Sequence, residues 1–228
     1  MAFELKNVVP WGRNLEEYTN MFALTAHDLS KRIISFGDGP ASFNLEMHRQ
    51  GKEVTSLDPV YQFTADELRE RIHETKDTII RQMQENRDNF VWTSIKSIDE
   101  LERIRMEAMA SFLADFEKES SKSRYLYHEL PAKTEFADQA FDLGLSSHFL
   151  ILYAQLGLDF HLQSIREMLR LCKEVRIFPI VNLNAGKSEV LDGILETFGT
   201  DYELIVSKVN YEFQKGGNEM LTLRNHSV

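Results

Sequence analysis

Two glycines and one aspartate carry the most legible chemistry in this sequence. Gly37 and Gly39 stand in Gly37-Asp38-Gly39-Pro40-Ala41-Ser42-Phe43, directly after the apolar, β-prone run Arg32-Ile33-Ile34-Ser35-Phe36. A helical stretch over 44–50 closes at Gly51, and Glu53-Val54-Thr55-Ser56-Leu57 leads into Asp58-Pro59. A turn free of side chains lets a ligand approach the backbone, and a carboxylate at the tip of the next strand can hold two ribose hydroxyls. That is the geometry for a nucleoside-containing cofactor laid across the carboxyl ends of parallel strands. Asp58 would make two charge-assisted bonds of about 1.5–3 kcal/mol each; its bland alternative is a solvated acid before proline. Tyr61 could lie beside the same sugar or base, or simply pack.

Other reactive groups are sparse. Seven histidines and one cysteine show no zinc spacing, so no metal site is expected. Cys172 sits in an apolar helical stretch and reads as buried filler rather than as a nucleophile. A lone cysteine excludes an internal disulfide and suits a reducing cytoplasm.

The elements that must position the turn and the acid follow from periodicity. Pro10-Trp11-Gly12-Arg13 reads as a turn, and Asn14 caps a helix running to about Ser30. Thr64-Ala65-Asp66-Glu67 is a capping box ahead of the stripe Leu68, Ile72, Thr75, Ile79 and Met83. Ser97 opens a second helix with Leu101, Ile104, Ala108, Phe112 and Phe116 on one face. Parallel strands need only about a dozen residues to cross over, so residues 62–123 read as a helical insertion, a lid or a dimer arm. Alternation then resumes: a strand over 124–130, a strand over 141–147, a helix over 159–173, a strand over 174–181, a helix over 188–198 and a strand over 202–211. Lys215-Gly216-Gly217-Asn218 signals a hairpin into Met220-Leu221-Thr222-Leu223. The expected fold class is α/β: one Rossmann-like, doubly wound sheet over 1–228, mostly parallel, with a C-terminal antiparallel hairpin and a helical insertion after strand two.

Bulk properties narrow the partners. The 228 residues carry 36 acids against 26 bases, a formal charge of −10, with 43% hydrophobic residues. Such a surface repels phosphate backbones, so nucleic acid is disfavoured and a small molecule fits better. No apolar run approaches the roughly 20 residues that cross a bilayer. The opening Met1-Ala2-Phe3-Glu4-Leu5-Lys6-Asn7 lacks a secretory layout, and no polybasic signature marks a membrane surface. A cytoplasmic location is expected.

Together these patterns resemble the class I S-adenosylmethionine-dependent methyltransferases. Ile33-Ile34-Ser35-Phe36-Gly37-Asp38-Gly39-Pro40-Ala41 is similar to that family's first motif, a hydrophobic strand leading into acid-x-Gly-x-Gly-x-Gly. Asp58 stands where its ribose-binding acid ends strand two. Thr134-Glu135-Phe136-Ala137-Asp138-Gln139-Ala140-Phe141-Asp142-Leu143 is similar to its loop before strand four. Ser35 departs from the pattern by replacing the acid that commonly helps hold the methionine portion, and Ala41 replaces the third glycine. No Asn-Pro-Pro-Tyr type motif follows strand four. The nicotinamide fingerprint would need glycine where Ser42 stands.

The resemblance implies S-adenosylmethionine as cofactor, held by Gly37, Asp38, Gly39, Asp58 and Tyr61. Glu129 and Leu130 would lie at the adenine. Ser146 and His148 would lie at the mouth where the methyl group is presented, and Arg13 and Tyr18 would come from a segment folded over the cofactor. Arg13 could clamp its carboxylate as a bidentate fork, or be a surface arginine beside a turn. His148, with an ordinary pKa near neutrality, could be the general base, or a loop histidine satisfied by hydrogen bonds. The expected reaction is in-line methyl transfer to an oxygen or nitrogen of a small molecule. The alternatives are a non-catalytic or regulatory module that only binds the cofactor, and an interaction protein assembled, as a homodimer for example, through the insertion.

Overall fold

The structure is a computed structural model that describes residues 10–225. The segment 1–7 read above for a secretory layout lies outside the described residues.

Seven strands form one sheet in the order β3-β2-β1-β4-β5-β7-β6. Strands β1 (Ile33–Phe36), β2 (Val54–Leu57), β3 (Tyr125–Leu126), β4 (Phe141–Ser147) and β5 (Cys172–Phe178) are parallel neighbours. Strands β6 (Tyr202–Lys208) and β7 (Glu219–Asn225) pair antiparallel, and β7 slots between β5 and β6. All four residues of β1 are buried, as a central strand covered by helices on both faces requires. The order turns back at β1, with β2 on one side and β4 on the other, and a crevice opens at the carboxyl ends of the strands. This is the Rossmann-like, doubly wound sheet, mostly parallel with an antiparallel end, that the sequence led us to expect.

The helices α1 (Leu15–Met21), α2 (Phe43–Arg49), α5 (Leu158–Leu171) and α6 (Leu191–Phe198) accompany the sheet. Between β2 and β3 come α3 (Ala65–Glu85) and α4 (Ile98–Phe116). Thr64 and Glu67 form the expected capping box on α3, and Ser97 accepts from Glu100 N–H at the start of α4. The pair runs antiparallel, with Arg69 meeting Glu117 at 2.8 Å and Lys76 meeting Glu102 at 2.9 Å. Leu68, Ile72, Ile79, Met83, Leu101 and Phe112 form one buried cluster that takes in Trp11, Tyr125 and Phe213 from the body. The apolar stripes are therefore consumed within the chain.

Several boundaries differ from expectation. The helix expected to reach Ser30 stops at Met21, because the chain turns at Ala23 (φ 47°) and restarts as a single turn at Asp28–Ser30. Arg176 on β5 fixes that corner by donating to Phe22 O at 2.8 Å and to Asp28. The strand expected over 124–130 is only Tyr125–Leu126. Its partner β2 ends at Asp58-Pro59 and turns into a one-turn helix, leaving nothing beyond Leu126 to pair with. Helix α5 and β5 change over at Cys172 rather than Glu174, and α6 starts at Leu191 rather than Ser188. The β6–β7 connection is not a two-glycine turn: it spans residues 209–218, closed by Val209 N–H to Asn218 O at 2.9 Å.

Candidate functional site

Gly37 and Gly39 both adopt left-handed φ, 69° and 55°, which glycine enters without the Cβ penalty. Gly37 N–H donates to Leu57 O at 2.9 Å, and Gly39 N–H donates to Asp58 Oδ2 at 2.7 Å. The other oxygen of Asp58 accepts from Val60 N–H at 2.8 Å. Burial outweighs these two bonds and, helped by the nearby Asp38 charge, raises Asp58 to a pKa of about 6. Tyr61 donates to Gly39 O at 2.8 Å while its ring packs on Phe112, Phe116 and Tyr125. Tyr61 thus braces the turn from behind and is not in the cavity wall.

Asp38 is turned inward. Three hydroxyls serve its carboxyl: Ser35 at 2.5 Å, Ser56 at 2.6 Å, and Tyr18. Burial raises its pKa. Position 35 lacks the family's acid, yet a carboxyl group stands beside it, brought from position 38. Tyr18 reaches it from α1, stacked on Phe43 with ring centroids 4.2 Å apart.

Two cavities adjoin at the carboxyl ends of the strands. The larger, of about 290 Å³, lies between Gly37, Asp38, Gly39 and Asp58 on the sheet side and Trp11, Ile79, Met83, Phe90 and Phe213 on the other. The smaller, of about 170 Å³, lies against Leu57, His128, Glu129, Leu130 and Phe160. They share Gly37, Pro59 and Phe149. The Phe149 ring rests on Gly37 so closely that a Cβ there would lie 2.7 Å from it. The larger cavity is roofed by paired loops: Phe90 bridges to Gln214, and Val91 N–H donates to Phe213 O at 2.7 Å.

His148 follows β4 with a left-handed φ of 52°. Its ring lies edge-on to Phe178 and Tyr211, and its Nδ1 is 3.0 Å from Ser147 Oγ. Burial, then the charges of Arg13 and Arg105, hold its pKa well below the usual value, so the imidazole is neutral at pH 7. Arg13 lines the same cavity, donating to Trp11 O at 3.1 Å, and its buried Nε has no partner among the described residues. Behind it, Arg105 on α4 donates to Glu17 Oε2 on α1 at 2.5 Å, and Tyr211 donates to Glu17 Oε1 at 2.9 Å.

Of the residues singled out in the sequence, Gly37, Asp38, Gly39, Asp58, Arg13, Tyr18 and His148 meet in the larger cavity. Glu129 and Leu130 meet in the smaller one. Ser146 does not join them: its Oγ is buried without a hydrogen-bond partner among the described residues, and Ser147 is the serine in the wall. Side chains alternate along a strand, so one position decides the face. Sequence reasoning also missed Phe149 and the roof residues Phe213 and Gln214. The signal for the roof was Phe213, an aromatic between the strand read to Tyr211 and the turn read from Lys215. Among the described residues no three His, Cys, Asp or Glu side chains group as a metal site, and no helix is long and apolar enough to cross a membrane.

No protein-family model matches the chain. An uncharacterised protein, MJ0045 of Methanocaldococcus jannaschii, is 37% identical over 222 residues, covering 96% of this chain and 97% of that protein. Among solved structures, a SAM-dependent methyltransferase from Methanosarcina mazei is 11% identical, covers 87% of this chain and 94% of its own, and gives a TM-score of 0.46. A TehB-like SAM-dependent methyltransferase from Corynebacterium glutamicum is 16% identical, with 86% and 80% covered and a TM-score of 0.44. An rRNA methylase from Escherichia coli is 14% identical, with 91% and 62% covered and a TM-score of 0.41.

Proposed function

The chain belongs to the family of the uncharacterised Methanocaldococcus jannaschii protein MJ0045, and we propose that it is an S-adenosylmethionine-dependent methyltransferase acting on a small molecule in the cytoplasm. One observation carries the reading. A buried carboxylate, Asp58, stands at the tip of β2 beside the open Gly39, where a Cβ would meet only Asp58 itself, at 4.0 Å.

The residues fit the cofactor. Asp58 would accept from the ribose hydroxyls, Leu57 and Leu130 would flank the adenine in the smaller cavity, and Arg13 would face the amino-acid end in the larger one. When bound, the cofactor supplies a methyl group already activated on a sulfonium, open to in-line displacement. What remains for the protein is alignment and exclusion of water. Ile79, Met83 and Phe90, from the insertion, wall the larger cavity, which supports a lid rather than a dimer arm. His148, neutral and facing the same space, would take the acceptor's proton. A cavity of only about 290 Å³ and an acidic chain support a small molecule over a nucleic acid.

Calorimetric titration of S-adenosylmethionine into the protein and into Asp58→Ala tests the pocket; heat absent from both sinks the reading. Label transfer from the radioactive methyl donor across a metabolite pool then separates an enzyme from a module that only binds.

A further inference from the structure

We infer that Phe149 is a gate between the two cavities: its ring closes the neck over Gly37, and a ligand reaching from the smaller cavity into the larger displaces it by a turn of the side chain. The inference rests on the S-adenosylmethionine reading and adds a control on entry to that same site.

The neck is defined by what the cavities share. Among the described residues, Gly37, Pro59 and Phe149 alone line both. The parts of the proposed cofactor site fall on opposite sides of it. Arg13 and Asp58 border the larger cavity, and Leu57 and Leu130 border the smaller. An adenosyl group held by all four must therefore cross over Gly37, between its base and its ribose. That crossing is filled. A Cβ on Gly37 would lie 2.7, 2.9 and 3.1 Å from Cδ1, Cγ and Cβ of Phe149. Non-bonded carbons rest at about 3.5–4.0 Å, so the ring leaves no room on that side of the glycine for a methyl group. A ligand atom cannot pass between them.

The structure also decides what can move. The backbone around Phe149 is pinned: His148 N–H donates to Phe178 O at 2.6 Å, Tyr153 N–H to Phe149 O at 3.2 Å, and Ser188 Oγ to Ile151 O at 2.7 Å. Leu150 and Ile151 are fully buried. Ile151 keeps a φ of 71°, a region that β-branched residues avoid, so packing must hold it there. The Phe149 side chain is by contrast only half-buried, with Phe160 edge-on to it at 6.1 Å between centroids. A held backbone under a partly free side chain makes opening a change of rotamer, not a lifting of the loop. Rotamers are discrete, so the gate has closed and open states. With the open state at about 0.1–10% of molecules, association is slowed by about 10- to 1,000-fold.

The test follows association of S-adenosylhomocysteine by stopped-flow tryptophan fluorescence, since Trp11 lines the larger cavity. Wild type, Phe149→Ala and Phe149→Leu are compared. Phe149→Ala should associate faster by about 10- to 1,000-fold. Phe149→Leu, which keeps bulk without the ring, should fall between. Crystals grown with the same ligand should show the adenosyl group across the neck and Phe149 in another rotamer. An association rate unchanged or lowered in Phe149→Ala would make the ring a fixed wall, overturning the gate and leaving the cofactor reading standing. So would a ligand spanning both cavities with the ring still on Gly37. Binding to none of the three proteins overturns the gate together with the cofactor reading.

Discussion

The backbone N–H of Gly39 donates to the carboxylate of Asp58 at 2.7 Å, tying the loop after β1 to the tip of β2. The acid proposed to hold the ribose thus also holds the turn over which the cofactor would lie. Each of its oxygens keeps a free lone pair, so a sugar can add to these bonds without replacing them. Asp58→Ala should weaken S-adenosylmethionine binding by about a hundredfold or more, from two charge-assisted bonds of about 1.5–3 kcal/mol each. Calorimetry reads this directly, and unchanged affinity would remove Asp58 from the site.

Affinity should also depend on pH through the same group. Ribose hydroxyls donate to the ionised carboxylate, and Asp58 ionises at about 6. Below that value the competent fraction falls about tenfold per pH unit. Titrations at pH 5 and pH 7.5 should differ accordingly in the wild type, and Asp58→Asn should flatten the difference.

Stability should run the opposite way. A carboxyl whose folded pKa is raised binds more protons folded than unfolded, so stability falls as pH rises from about 4, the unfolded value, through about 6. The full shift corresponds to roughly 3 kcal/mol at most. Urea unfolding at pH 4 and pH 7 isolates this share by difference: between the two pH values the wild type should lose up to that much more stability than Asp58→Asn, since Asp38, raised by burial, and His148, lowered by burial, act in both proteins. Other carboxylates, with pKa lowered by their partners, such as Asp28 beside Lys31 and Arg176, act below this window.

Gly37→Ala meets two obstacles: a left-handed φ costing about 1–2 kcal/mol and a ring atom of Phe149 at 2.7 Å. Pairing it with Phe149→Ala removes the second and not the first. The double variant should recover part of the stability lost by Gly37→Ala, as read by thermal unfolding. No recovery would mean that the ring does not rest on the glycine.

Arg105, with 1% of its surface exposed, pairs with Glu17 across the join between α4 and α1. Removing one partner leaves a buried charge uncompensated, so Arg105→Ala should cost about 3–5 kcal/mol, against much less for Arg105→Met combined with Glu17→Gln. Hydrogen exchange should locate the loss in α4 and α1. A uniform loss across the sheet would count against a local clasp.

Local pattern in the chain determined much of this protein. Apolar Ile33-Ile34 ahead of Gly37 and Gly39, the caps at Asn14, Thr64 and Ser97, and the stripes of α3 and α4 are set by neighbours a few residues apart, so they can be read before folding. The sheet with its antiparallel end and the approach of Asp58 to the glycine turn belong to the same legible part. Tertiary contacts decided the rest. Ser147 rather than Ser146 faces the cavity because the place where β4 stops fixes the parity. Asp38 turns inward because Tyr18 and Ser56, distant in the chain, converge on it together with its neighbour Ser35. The β6–β7 connection opens into a roof because Phe90 from the insertion pairs with Gln214. Each of these depends on contacts between residues far apart in sequence, whose energies are absent from any local window.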